Sequence, residues 1–327
     1  MKRYNILVSG VGAIIGYNII QSLRESRYKN SINIIGIDIY EDAIGQIWCD
    51  KFEKGILASD EEFPYFLKNI IKKYNINLVI PGIEQDIESI VNNYDILKEC
   101  NTKYVVNKHG LIDLFNDKWK THCHLVNKKI ELIKTYIDGD YDFLSKELGI
   151  PFLLKPRRSY ASKGIFKIET IDDYNYWKSK LGENFMVQEI VGTKDSEYTI
   201  GIFGLSDGTF SNMIILQRQL AADGSTAKAK VVEDKEIYSY IEKLCKIFKP
   251  EGPTNIQVIK HNNKIYLLEV NPRFSSTTSI RQAFGYNDAE MCIEYYLENK
   301  IPTKRLIHKG EARRYIKDYI RYDSNHF

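Results

Sequence analysis

In the stretch IYLLEVNPRF (265–274), an apolar run leads into Glu269, Asn271 and Arg273, so a carboxylate, an amide and a guanidinium recur at every second position. Side chains alternate between the faces of a strand, which puts Leu267, Glu269 and Asn271 on one face and Tyr266, Leu268 and Val270 on the other. The preceding run NIQVI (255–259) has Asn255, Gln257 and Ile259 on one face and Ile256 and Val258 on the other. A two- or four-residue connection would set Gln257 opposite Leu268. A three-residue loop, Asn262–Lys264, sets Gln257 opposite Glu269 and Val258 opposite Leu268. Only that register keeps one face apolar, and burial specifies register strongly. The expected result is a polar patch of Asn255, Gln257, Glu269 and Asn271 over a dry face. One acid and neighbouring amide oxygens are hard donors that suit Mg²⁺, which takes one or two protein carboxylates together with substrate phosphates. A hydrogen-bonded polar end of an exposed sheet would carry the same pattern.

Two further clusters bear on the choice. FLLKPRRSYASKGIFKI (152–168) reads as a strand ending at Lys155, a short loop and a returning strand. The loop holds Arg157, Arg158, Ser159, Ser162, Lys163 and Gly164, where small residues let backbone N–H groups approach an anion and the cations neutralise it. It is not a Walker A loop, since no G-x-x-x-x-G-K-[ST] occurs. A solvated basic hairpin is the alternative. In FMVQEIVGTKDSEYTI (185–200), an apolar strand reaches Gln188 and Glu189, and Glu197 opens the next. A solvated acid at Glu197 would be unremarkable; as site residues, Glu197 could accept from ribose hydroxyls and the backbone at Glu189–Val191 could pair with an adenine edge.

The elements that must position these residues follow from periodicity. NILVSG (5–10), NIIGID (33–38) and NLVIPG (77–82) are apolar runs alternating with helix-period stretches, and YVVN (104–107) closes the series. Alternating β and α signals predict a parallel sheet with helices on both faces. Residues 116–150 read as mostly polar and helical. Strand signals dominate from 151 to 217, with a tight turn SDGT at 206–209. A helix follows at 234–249, then the 255–270 hairpin and a helical stretch from 288. With 327 residues, 43% hydrophobic and 27% charged, the chain has material for two or three soluble domains. A net charge of +3 gives no reason to expect nucleic acid or a membrane surface as partner. No run approaches the roughly 18 apolar residues of a membrane span. The five scattered cysteines, with no C-x-x-C pair, read as reduced thiols of a cytoplasmic protein.

Taken together, these clusters resemble the ATP-grasp superfamily, especially the carbamoyl-phosphate-synthase-like branch of carboxylate–amine ligases. GPTNIQV…KIYLLEVNPRFS looks like that branch's metal-binding hairpin. The resemblance implies a Rossmann-like α/β domain preceding the ATP-grasp unit (1–107), followed by an α+β ATP-grasp fold of two lobes (108–184 and 185–327). It implies ATP and two Mg²⁺ ions, with Mn²⁺ as a substitute, held by Gln257, Glu269 and Asn271, Glu269 bridging. Arg273 would meet the transferred phosphate and Arg218 the acyl phosphate. Lys118 and Lys155 would be the two ATP lysines. Ser162, Lys163 and Gly164 would cover the phosphates, Glu189 and Val191 would form the adenine hinge, and Glu197 would reach the ribose. The implied reaction joins a small carboxylate to an amine, with an amino acid or a uronic acid as substrate by analogy and a homodimer compatible with it. Ser276 stands where carbamoyl phosphate synthases carry a second arginine, and only one ATP-grasp unit is present, which argues against carbamoyl phosphate synthesis itself.

Other readings compete. SGVGAIIG (9–16), with Asp38 ending the next strand, invites an NAD(P)-dependent oxidoreductase, but its spacing is G-x-G-x-x-x-G rather than G-x-G-x-x-G. A non-catalytic ATP-binding regulatory module is the other alternative. His122 and His124 in THCHL lie two apart, so a helix would not turn both to one ion. Glu84, just past a parallel strand, is placed either to face a substrate or to stand as a solvated loop acid.

Overall fold

The computed structural model describes residues 3–159, 164–222, 224–320 and Tyr322. Among these, no helix is long and apolar enough to cross a membrane.

The first sheet is parallel. It contains β1 (Tyr4–Ser9), β2 (Ile32–Asp38), β3 (Lys51–Lys54), β4 (Leu78–Ile80) and β5 (Lys103–Tyr104), in the order β3-β2-β1-β4-β5. The alternation of β1 explains its two covered faces. Ile6 and Val8 join one core with Ile19, Ile20 and Leu23 of the helix Ile14–Arg24. Leu7 points the other way, into a core with Phe63, Leu67 and Ile70 of the helix Phe63–Tyr74. At the turn after β1, a Cβ on Gly16 would lie 2.1 Å from the Gly10 carbonyl oxygen, so only glycine lets the helix start this close to the strand end. The final strand expected over 104–107 is shorter and earlier, Lys103–Tyr104. The edge strand Lys51–Lys54 has no counterpart in the sequence reading.

The second sheet is antiparallel, with order β6-β9-β7-β8: β6 (Thr135–Tyr136), β7 (Phe152–Pro156), β8 (Phe166–Ile168) and β9 (Phe185–Glu189). Thus the strand Phe185–Glu189 hydrogen-bonds with the residues before 184, not with those after it. The third sheet runs β14-β13-β10-β11-β12-β15, from β10 (Glu197–Leu205), β11 (Phe210–Leu220), β12 (Thr226–Val231), β13 (Glu251–His261), β14 (Lys264–Asn271) and β15 (Glu311–Arg313). The SDGT turn joins β10 to β11 as expected. The helix Lys235–Phe248 packs Ile237, Ile241, Leu244 and Phe248 against one face of this sheet, including Ile256, Val258, Leu267 and Val270.

The β13–β14 pairing sets Asn255 opposite Asn271 and Gln257 opposite Glu269, as the sequence predicts, but by a different route. The connection is a two-residue turn, with φ 49° at Asn262 and 59° at Asn263. Asparagine tolerates positive φ, and paired positive φ defines the turn that matches strand twist. His261 then faces Lys264 and Val258 faces Leu267, and a register shift between Gln257 and Val258 leaves Leu268 as the extra residue. This bulge corrects the predicted faces. Ile265, Leu267 and Val270 all turn to the core, whereas Glu269 and Asn271 stay on the polar side. An unbroken alternation would set Leu267 on the face of Glu269 and Val270 on the opposite face, so burying both Leu267 and Val270 while Glu269 stays polar requires such a slip.

Candidate functional site

A row of polar side chains crosses the third sheet at the level of the bulge. Glu269 and Asn271 on β14 adjoin Gln257 and Asn255 on β13, then Thr199 and Glu197 on β10 and Arg218 on β11. Asn271 Nδ2 donates to Glu269 Oε2 at 3.2 Å. Gln257 Oε1 accepts from Arg218 Nη2 at 2.8 Å, and Arg218 Nε donates to Glu197 Oε1 at 2.9 Å. Arg218 is thus committed to the acid expected at the ribose. Arg273 pairs with Glu84 at the start of the helix Glu84–Asn92 and donates from Nη1 to the Phe274 carbonyl at 2.7 Å.

The second sheet brings the lysines to the same place. Lys155 on β7 is 6% exposed, and its ammonium donates to Gln188 Oε1 at 2.5 Å. Gln188 in turn donates to Thr135 Oγ1 at 2.9 Å, which fixes the amide orientation. Burial, with the nearby Lys118 charge, lowers the Lys155 pKa to about 8, and Glu269 offsets part of that. Lys118 begins the helix Lys118–Leu125. Asp117 caps that helix through Trp119 N and Lys120 N and forms an ion pair with Arg157 at 2.6 Å. Lys118 Nζ donates to the Ser159 carbonyl at 3.0 Å and stands 3.5 Å from Glu269 Oε1, so it spans the gap between the two sheets. His122, whose protonation is disfavoured by burial and by Lys155, lines the same cleft as Lys118, Lys155, Gln188 and Glu269.

Of the expected site residues, Lys118, Lys155, Gln257, Glu269, Asn271 and Arg273 converge, and Arg218 with Glu197 continues the row. Glu189 and Val191 lie half-buried at the end of β9, but the Glu189 N–H is already given to the Lys134 carbonyl at 3.0 Å. A hinge would therefore rest on the Glu189 carbonyl and the backbone at Val191. Gly164 holds φ 75° beside Pro156. Ser162 and Lys163 lie outside the described residues. Asn255 is not free for a ligand: buried beneath the patch, it accepts from Arg281, which also donates to Thr199 Oγ1 at 3.3 Å. Arg281 is 1% exposed and 3.9 Å from Asp288, and a Cβ on Gly201 would come within 2.7 Å of its Nη1. Nothing in TTSIRQAF marks this arginine in advance, because its partners come from strands more than twenty residues away.

The donor set fits a magnesium nucleotide. Glu269 supplies one carboxylate and Gln257 and Asn271 two amide oxygens; a half-turn of the Asn271 amide exchanges its N–H₂ for its oxygen. Among the described residues no group of three or more His, Cys, Asp or Glu gathers to hold an ion. A single carboxylate leaves the remaining Mg²⁺ positions for phosphate oxygens and water. Lys155 donates to a neutral amide, which leaves its charge for an anion, whereas the Arg273 guanidinium is already ion-paired with Glu84 and a phosphate would have to share it.

This combination of sheets and side chains is that of an ATP-dependent ligase, and comparison with known proteins agrees. The family model described as "ATP-grasp in the biosynthetic pathway with Ter operon" matches residues 182–317. A formate-dependent phosphoribosylglycinamide formyltransferase of Prochlorococcus marinus is 30% identical over 341 residues, covering 95% of this chain and 81% of the relative. The carbamoyl phosphate synthase large chain of Clostridium acetobutylicum is 27% identical over 180 residues, 49% of this chain but only 16% of that protein. In fold, the chain matches N5-carboxyaminoimidazole synthetase from Staphylococcus aureus, in complex with ADP, with a TM-score of 0.75 over 94% of this chain and 81% of that one at 16% identity. Biotin carboxylase from Campylobacter jejuni gives 0.71 over 94% and 74%, at 15% identity. The chain belongs to the ATP-grasp family of carboxylate–amine ligases.

Proposed function

We propose that the protein activates a small carboxylate with ATP and passes the acyl group to an amine. The supporting observation is the meeting of Lys118 with Glu269 and Asn271 across two sheets, with the buried Lys155 alongside. A carboxylate oxygen attacks the γ-phosphorus, the bond to the β,γ-bridging oxygen breaks, and ADP leaves. The amine nitrogen then attacks the acyl carbon, loses a proton and expels phosphate. The obstacle is repulsion. Two unit charges ~4 Å apart cost roughly 4 kcal/mol at an effective dielectric of about 20, and a γ-phosphate carries more than one charge. Mg²⁺, held by Glu269, Asn271 and Gln257, would supply Lewis-acid charge compensation at the phosphates. Lys118, Lys155 and Arg273 bind and orient the same oxygens. Two ions on this set, with Glu269 bridging, Mn²⁺ as a substitute and a homodimeric assembly belong to the same proposal, as do the hinge at Glu189–Val191, the ribose contact at Glu197, the acyl-phosphate contact at Arg218 and phosphate cover from Ser162, Lys163 and Gly164.

The dinucleotide alternative loses its acceptor. Asp38 Oδ2 accepts from Gly12 N at 2.7 Å and Oδ1 from Tyr40 N at 3.0 Å, so this acid closes the glycine loop rather than presenting itself to a ribose.

The test is ADP release across paired panels of carboxylates, amino acids and uronic acids included, and amines. Turnover should require both a carboxylate and Mg²⁺, and should yield ADP with phosphate. ATP binding with no ADP formed on any pair would support a regulatory module instead.

A further inference from the structure

A second cavity, of about 920 Å³, lies over the carboxyl ends of the parallel strands. Gly10 past β1, Asp38 at the end of β2 and Ile83 past β4 all line it. The sheet order reverses between β1 and β4, and ligands of open α/β sheets bind at such reversals. Its size is that of a small-molecule site. Glu88 borders both this cavity and the cleft that holds Lys118, Glu269 and Arg273, so the two spaces adjoin across one turn of the helix Glu84–Asn92.

The wall has one sign of charge. Asp38, Asp60, Glu61, Glu62, Asp86 and Glu88 line it, and among the described residues no Lys, Arg or His does. Asp86 is the informative member. It is 5% exposed, its hydrogen-bond partner is the Ser9 hydroxyl, and its charged neighbour is another acid, Asp38. A buried carboxylate without a countercharge is costly, and burial accordingly pushes its pKa up to about 6. Asp38 accepts from backbone N–H groups and Glu88 from Asn116 Nδ2 at 2.6 Å, so that, with Asp86 on the Ser9 hydroxyl, all three acids have neutral partners and no cation balances the buried Asp86 among the described residues. The helix start that would ordinarily attract a phosphate is filled by the chain's own Glu84 and Asp86. The loop after β1 spends its Gly12 N–H on Asp38.

We infer that this cavity receives the amine co-substrate of the ligase, and that this co-substrate is a cationic, unphosphorylated amine whose charged group seats against Asp86 while its nucleophilic nitrogen reaches past Glu88 toward Arg273. The inference rests on the ligase reading. A cleft of uniformly negative sign with low-dielectric walls concentrates cations and repels phosphate esters.

The experiment is a thermal-shift titration of the full chain with putrescine, agmatine and cadaverine, and in parallel with ribose 5-phosphate and glycerol 3-phosphate, with Mg-ATP titrated separately. At least one amine should raise Tm saturably, and neither phosphate ester should. Asp86→Asn should weaken that amine by at least about tenfold, the loss expected for one hydrogen bond to a charged group, while its Mg-ATP shift persists. If Asp86→Asn does not fold, Glu88→Gln takes its place and should weaken the same amine. A shift by either phosphate ester, no shift by any amine, or full amine affinity in the variant that folds overturns the inference. Loss of the Mg-ATP shift in the wild type would instead strike at the nucleotide site, so the two failures are distinguishable.

Discussion

Glu269→Gln should leave a folded protein whose ATP turnover falls by about 10²–10³, the ~2.7–4 kcal/mol associated with removing one preorganised electrostatic group. Glu269 is the one carboxylate in the converging donor set, flanked by two amides and two lysines. The substitution keeps its shape and a hydrogen-bonding oxygen for Asn271, so the hairpin and the apolar face of Ile256, Val258, Leu267 and Val270 are untouched. What disappears is the negative charge that draws a divalent cation to this point and balances Lys118. The loss should appear in kcat with Tm shifted little. A variant as active as wild type would remove Glu269 from the chemistry.

Lys155→Ala should weaken Mg-ATP binding by about 10–150-fold, from ~1.5–3 kcal/mol for a hydrogen bond to a charged group. The pH dependence separates this role from simple packing. Burial holds the folded-state pKa of Lys155 at about 8, below the 10.5 of an ordinary lysine. Its contribution to folding stability is therefore fully present above 10.5 and is lost as pH falls through about 8, because the buried ammonium is disfavoured. Phosphate binding has the opposite sign, since it needs the charged form. Wild-type Mg-ATP affinity should hold below pH 8 and weaken as pH rises past it, and Lys155→Ala should remove that weakening. Calorimetric titration over pH 7–9.5 checks both. An affinity unchanged by the substitution would take Lys155 out of the site.

Much of this arrangement could be read in the sequence, because the demands of burial are strict. Apolar runs ending at glycine or aspartate gave β1, β2 and β4, and the polar-apolar alternation around Gln257 and Glu269 gave their pairing. The alternation could not reveal how that pairing is reached. Two asparagines in positive φ form a shorter turn than expected, and the bulged Leu268 restores the register. The strand Lys51–Lys54 was invisible because KFEK lies at a sheet edge, with both lysines exposed. Glu84 was recognisable from its place after a parallel strand, but its partner Arg273 is 189 residues away and only the fold unites them. Arg281 had no local signal at all. Its burial depends on space left by Gly201 and on acceptors from β10 and β13. Pattern along the chain thus locates donors on faces, whereas the committed partners of Arg218, Arg273 and Asn255 follow from packing between sheets.

The central claim is that the β13–β14 ribbon and the Lys155 strand grip one magnesium nucleotide between them. The most direct measurement is a crystal structure of the full chain with Mg²⁺ and a non-hydrolysable ATP analogue. The account predicts an ion about 2.0–2.1 Å from a Glu269 oxygen, with phosphate oxygens in hydrogen-bond contact with Lys118, Lys155 and Arg273. A nucleotide bound elsewhere, or an ion with no contact to Glu269, would contradict it.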